Sequence, residues 1–286
     1  MSFPRSIHLG GGSFATAFEI GVLRAMEERW EEETGGKRGP LCDNVVLSGD
    51  SAGAAIAAGW CLGMSWVQLR DLFARLAYLA RTNGVWGGKM TEYHEEMLDV
   101  ILGSVPDPVK TLERRKFGMG VTRFFATYET YTAWRDLQHL RHCFHCSFHV
   151  PIYCAYQPPL DGRQALDGGF ARDGPIASNY DLTVGRGECA HISMLASLSE
   201  VVYPPSDDEI DKKILEGYRK GMSYRFGTPL KASRTPTYVH VAYTAFPVLF
   251  RAVHYVYHLT RQAITNAIAL FRVVCEIFHK TTVRGF

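Results

Sequence analysis

Residues 44–62 read NVVLSGDSAGAAIAAGWCL, and this stretch decides the fold. Asn44 to Ser48 is short and apolar enough for a buried strand, and Ala52 to Leu62 reads as a helix of small residues. Between them stands Gly49-Asp50-Ser51-Ala52-Gly53, the pattern G-x-S-x-G in the strand–turn–helix setting that a nucleophile elbow requires. A serine on so tight a turn presents its hydroxyl above the sheet. Side chains two positions to either side would collide with neighbouring backbone, hence Gly49 and Gly53. The helix that follows aims its first amides at the same spot and favours developing negative charge there.

Upstream, the same grammar occurs once before. Ser6-Ile7-His8-Leu9 reads as a buried strand, Gly10-Gly11-Gly12 as a turn, and about Phe18 to Glu32 as a helix. Val22, Leu23, Met26 and Trp30 share one side of that helix, opposite Arg24, Glu27, Glu28 and Glu31. Strand, turn and helix repeated in this way imply an α/β sheet. The triple glycine lets backbone amides approach an anion closely. It lacks both the spaced lysine of a P-loop and the spacing of a dinucleotide turn, so an oxyanion hole around Gly10, Gly11, Gly12 and Ser13 is the reading that fits a serine nucleophile.

Downstream, strands are expected over Phe117–Thr127, Gln164–Leu166 and His191–Ala196. Ser206 and Glu209 form a capping box that starts a helix running to about Arg225. The short second strand ends at Asp167-Gly168-Gly169, where a carboxylate flanked by glycines is a candidate general base for Ser51.

Composition sets the bounds. The 286 residues are 47% hydrophobic and 21% charged, which excludes collagen-like and largely disordered chains. Thirty-one Lys and Arg against 29 Asp and Glu leave a formal charge of +2, no basis for a nucleic-acid partner. Seven cysteines in apolar surroundings suit free thiols. His142-Cys143-Phe144-His145-Cys146 resembles half a zinc site, but no second Cys pair follows, so neither metal nor cofactor is expected. The first residues lack the apolar run of a signal peptide, and no segment has the length and apolarity of a membrane span. A cytoplasmic protein, not secreted, is the expectation.

A glycine-rich loop, then G-x-S-x-G, then D-G-G far downstream resembles the patatin-like phospholipase family. FGMGVTRF (117–124), CFHCSFHVPIYCAYQPPLDG (143–162) and ALDGGFARDGP (165–175) are similar to its adipose triglyceride lipase branch. The resemblance implies a three-layer α/β sandwich with a largely parallel central sheet, a Ser51–Asp167 dyad in place of a triad, no metal, and cleavage of acyl-lipid esters through an acyl-enzyme. The chain departs from many members in having Ser13-Phe14 where a basic residue follows the glycines. Two rival readings are a hormone-sensitive-lipase-like α/β-hydrolase, with His191 or His240 completing a triad, and a catalytically weak lipid-binding scaffold.

Residues 1–235 are expected to form the catalytic domain and 236–286 a helical C-terminal extension. From Val248 to Lys280, Arg251, His254, His258, Arg261, Arg272 and His279 trace a mainly basic stripe on an otherwise apolar helix. Such a stripe suits packing on the domain or peripheral contact with a membrane or lipid-droplet surface.

Overall fold

The computed structural model describes residues 3–227, apart from 124–126, 151–152, 156, 172–179, 187–189, 195, 198–199 and 202. The expected extension over 236–286, its boundary and His240 lie outside the described residues. Seven strands form one sheet: β1 (Ser6–Leu9), β2 (Val46–Asp50), β3 (Gly118–Arg123), β4 (Tyr128–Tyr131), β5 (Ala165–Asp167), β6 (Leu182–Arg186) and β7 (Ile192–Met194). The order is β4-β3-β2-β1-β6-β7, with β5 also on β3. β1, β2, β3, β6 and β7 run parallel, whereas β4 and β5 are antiparallel to β3. The helices that flank the sheet are α1 (Ala17–Thr34), α2 (Ser51–Cys61), α3 (Trp66–Asn83), α4 (Lys89–Leu102), α5 (Pro108–Arg114), α6 (Leu137–Ser147) and α7 (Asp207–Ser223). The α/β class with a largely parallel central sheet is the observed one.

Parallel strands covered by helices are largely apolar, and Ile7, Leu9, Leu47, Met119, Leu182 and Val184 are buried, with His8, Ser48, Asp50 and Thr183 as buried polar residues among them. The first half of α1 is buried nearly all round, from Ala17 to Leu23, because it packs on both α3 and α7. The expected strand over Phe117–Thr127 is shorter. It ends at Arg123, whose amide donates to Thr127 O at 2.8 Å, and the chain returns as β4. The strand expected over His191–Ala196 is likewise confined to β7.

One detail of the register positions the site. β2 pairs with the first half of β3, ending at Asp50 opposite Gly120. β5 pairs with the second half, ending at Asp167 opposite Val121. β4 spans both halves, from Met119 to Thr122. A strand has two edges, so β2 and β5 share the edge that β4 leaves free, and their ends meet at consecutive residues of β3.

Candidate active site

Ser51 is the first residue of α2 and has φ +51°, in the left-handed region that side chains avoid, at a cost of about 1–3 kcal/mol. Asp50 before it is extended. The Ser51 amide donates to Ser147 Oγ at 3.0 Å, and the Ser147 hydroxyl donates onward to Gly120 O at 2.7 Å. A Cβ at Gly53 would lie 2.5 Å from Leu9 O, so only glycine lets the elbow seat against β1. The turn holds its strain because backbone on two sides fixes it.

The glycine loop lies against the serine. A Cβ at Gly11 would come within 2.7 Å of Ser51 Cβ and 3.4 Å of its Oγ. Gly10 has a different part from the one expected of it. Its amide donates to Val184 O at 2.7 Å, extending the β1–β6 ladder, and is therefore not free for an oxyanion. Gly12 is extended and opens a single 3-10 turn over Ser13–Thr16. Ser13 has φ +48° and a side-chain hydrogen bond to Tyr153.

Asp167 is 6% exposed and held on every side. Its amide donates to His149 O at 3.1 Å, and its carbonyl accepts from Thr122 Oγ1 at 2.7 Å. Oδ1 accepts the Gly169 amide at 2.9 Å, and the carboxylate takes a hydrogen bond from the Ser51 hydroxyl. Burial pushes its pKa up to about 7, and the Asp50 charge adds to the rise. The Ser51 and Gly169 hydrogen bonds act the other way, because they favour the ionised form. A carboxylate titrating near neutrality can both take and return a proton.

An apolar cavity of about 60 Å³ opens beside Ser51, walled by Phe14, Phe73, Leu76, Met97, Phe148 and Tyr153. Phe14 is part of that wall, edge-on to Phe73. His94 also lines the cavity, and burial, with the charge of His145, lowers its pKa to about 3, so it stays neutral. Neither Ser147 nor His94 is marked by a local spacing: Ser147 lies within the quoted stretch 143–162, where nothing singles it out, and His94 lies in α4 without a motif around it.

The other candidates stand elsewhere. His191 Nδ1 accepts the Thr183 amide at 3.0 Å and its ring packs edge-on to Tyr224, so its contacts are with β6 and the end of α7 and not with Ser51. Cys143 and Cys146 are free, buried thiols on α6. Burial raises the pKa of both, to about 12 for Cys146. They pack as small apolar groups. Among the described residues, no group of three or more His, Cys, Asp or Glu is arranged to hold a metal.

The fold and the site together define an α/β protein with an elbow serine in hydrogen-bond contact with a buried aspartate and an apolar slot beside them. No family model and no curated protein matches the chain. Among solved structures, VipD from Legionella pneumophila is similar over 78% of this chain and 67% of its own, with 12% identity and a TM-score of 0.45. Full-length ExoU of the Pseudomonas aeruginosa type III secretion system, in complex with SpcU, is similar over 78% of this chain, with 16% identity and a TM-score of 0.40. A second ExoU–SpcU complex gives 17% identity and a TM-score of 0.38. The chain spans 52% of the ExoU length.

Proposed function

We propose that this chain is a serine lipid acyl hydrolase of the patatin-like kind, working through a Ser51–Asp167 dyad. The observation that carries the reading is the strained Ser51 hydrogen-bonded to a buried carboxylate whose pKa is pushed up to about 7, beside an apolar slot. Ser51 Oγ attacks the ester carbonyl while its proton passes to Asp167. Amides around Gly11, Gly12 and Ser13, with the head of α2, hold the oxyanion. Asp167 returns the proton to the leaving alcohol. Water then attacks the acyl-enzyme, gives its proton to Asp167, and Ser51 regains a proton as the fatty acid departs. The ordered motifs shared with the adipose triglyceride lipase branch support a phospholipid or acylglycerol ester as substrate.

Hydrolysis of a lipid panel, beside a Ser51→Ala control and covalent labelling by a fluorophosphonate, tests this. Ser51→Ala is expected to lose both turnover and labelling. His191→Gln is expected to retain at least about a tenth of the activity, since loss of a true base typically costs 10²–10⁴-fold. Labelling that survives in Ser51→Ala would overturn the assignment. We propose further that the basic stripe of residues 248–280 makes peripheral contact with an anionic membrane or lipid-droplet surface on the cytoplasmic side, packing on the domain being the alternative. Changing Arg251, Arg261 and Arg272 together to Gln is expected to weaken vesicle binding by up to about 3 kcal/mol. Among the described residues, no helix is long and apolar enough to cross a membrane.

A further inference from the structure

Beside the nucleophile turn lies a polar cluster that the reaction above does not use. His8 stands in the middle of β1 with both ring nitrogens engaged. Nδ1 is 2.9 Å from Ser48 Oγ, and Nε2 is 2.8 Å from Asp50 Oδ1. The register explains the reach: His8 is paired with Ser48, and Asp50 is the next residue on the same face of β2. The side chains of His8 and Asp50 are 2% and 3% exposed. The ring of Tyr180 lies 4.8 Å from that of His8, and the ring of Tyr128 stands edge-on at 6.4 Å. Serine, histidine and aspartate in a row match a triad in composition only. The trio is sealed from solvent, so no reactant meets it.

What the cluster does meet is the base. Asp50 and Asp167 end their strands at neighbouring residues on one edge of β3. Gly168 backs directly onto Asp50, and a Cβ there would lie 2.4 Å from Asp50 Cβ. A third carboxyl, Glu19 of α1, sits beneath Gly53. Its Oε2 is 2.9 Å from where a Gly53 Cβ would be, and neither of its oxygens has a hydrogen-bond partner among the described residues. Burial, with the Asp50 charge, raises its pKa well above the usual carboxylate range. Three carboxyl groups thus gather round one serine, and His8 is the ionisable base hydrogen-bonded to one of them.

We propose that Asp50 and His8 are positioning residues for the dyad: the acidic Asp50 side chain, oriented by the His8 ring and packed against Gly168 beside Asp167, tunes Asp167 as the general base, and His8 moderates that influence. The inference rests on the reading of Asp167 as the general base. The groups that face Asp167 are the Ser51 hydroxyl and Gly169 amide, Asp50 on β2 with His8 behind it, Tyr128 on β4, and Cys154. Asp50 is the acidic neighbour held in place by a hydrogen-bonded imidazole.

The test is the pH dependence of kcat/KM on a soluble short-chain ester, with circular dichroism as the check on folding. Asp50→Asn removes the neighbouring charge, and the acid limb is expected to move down by about one pH unit. His8→Gln leaves that charge without its imidazole, and the limb is expected to move up. Opposite shifts from two touching residues are a signature that a merely structural role would not produce. An unmoved limb in folded Asp50→Asn, or shifts of the same sign in both variants, overturns the proposal. If Asp50→Asn does not fold, His8→Gln decides alone, and an unmoved limb there overturns it. Asp167→Asn separates the two levels. If it retains turnover, the base itself is misassigned. If it loses turnover while the limbs stay fixed, only the role of Asp50 and His8 falls.

Discussion

A serine at φ +51° is costly wherever it occurs, and here the cost is tied to a hydroxyl that faces a carboxylate. Ser51→Gly relieves the backbone and removes the nucleophile, whereas Ser51→Ala removes the nucleophile and keeps the strain. Ser51→Gly is therefore expected to be the more stable by about 1 kcal/mol, read as about 2–4 °C in a thermal melt. Equal melting temperatures would mean that the elbow stores no strain. Asp167 carries the second cost. Its folded-state pKa of about 7 lies above the value of an unfolded aspartate, about 3.9, so folding takes up a proton between those limits. Its ionisation begins to cost stability as pH rises past the unfolded value, and the full penalty is present above about 7. Asp167→Asn is expected to be inactive yet to gain melting temperature over the parent at pH 8, with little gain at pH 4. A gain that is constant with pH would show that burial does not perturb this carboxyl.

At the scale of the element, α1 and α7 meet backbone to backbone. A Cβ at Gly217 would lie 1.9 Å from Phe18 O, and one at Gly21 would lie 1.9 Å from Ile214 O. At an exposed helical site Gly→Ala stabilises by about 1 kcal/mol through propensity. Gly217→Ala is expected to reverse that sign and destabilise by about 1–3 kcal/mol, because a carbonyl cannot rotate aside as a side chain can. Denaturant unfolding measures it, and a stabilised variant would mean that the helices part without loss. The start of α7 was legible in the sequence. Ser206 accepts the Glu209 amide and Glu209 accepts the Ser206 amide, as the spacing implied. The start of α3 carries the same signal: Ser65 and Gln68 form the same reciprocal pair. Local signals of this kind need only four residues, so they survive without any knowledge of the fold.

At the scale of the whole molecule, what could not be read was long-range. β1, β2, α1 and α2 stand within two residues of where glycine punctuation and apolar runs put them. Asp167 was visible as an aspartate after a short strand. That it faces Ser51 depends on β5 taking the stretch of β3 edge that β2 leaves vacant, a choice written in no local spacing. The return of β4 and the insertion of β6 beside β1 are of the same kind. So is the slot, which draws residues from α2, α3, α4 and the segment after α6. Its volume is only about 60 Å³. Met97→Ala deepens it and is expected to raise the kcat/KM ratio for octanoyl over butyryl esters about tenfold. An unchanged ratio on a panel of p-nitrophenyl esters would move the acyl chain to another surface.

The Ser147 hydroxyl joins the first amide of α2 to Gly120 O, and the strand end that carries Asp167 is laced to the very next residue, Val121. Nucleophile and base thus meet β3 at two adjacent residues, Gly120 and Val121, as two tools on one handle. When the surrounding helices breathe or the slot widens around a chain, both travel with those two residues, and the gap between them is the quantity least disturbed. Such a mount allows the rest of the molecule to yield to a bulky, shape-changing substrate without detuning the two atoms that must exchange a proton.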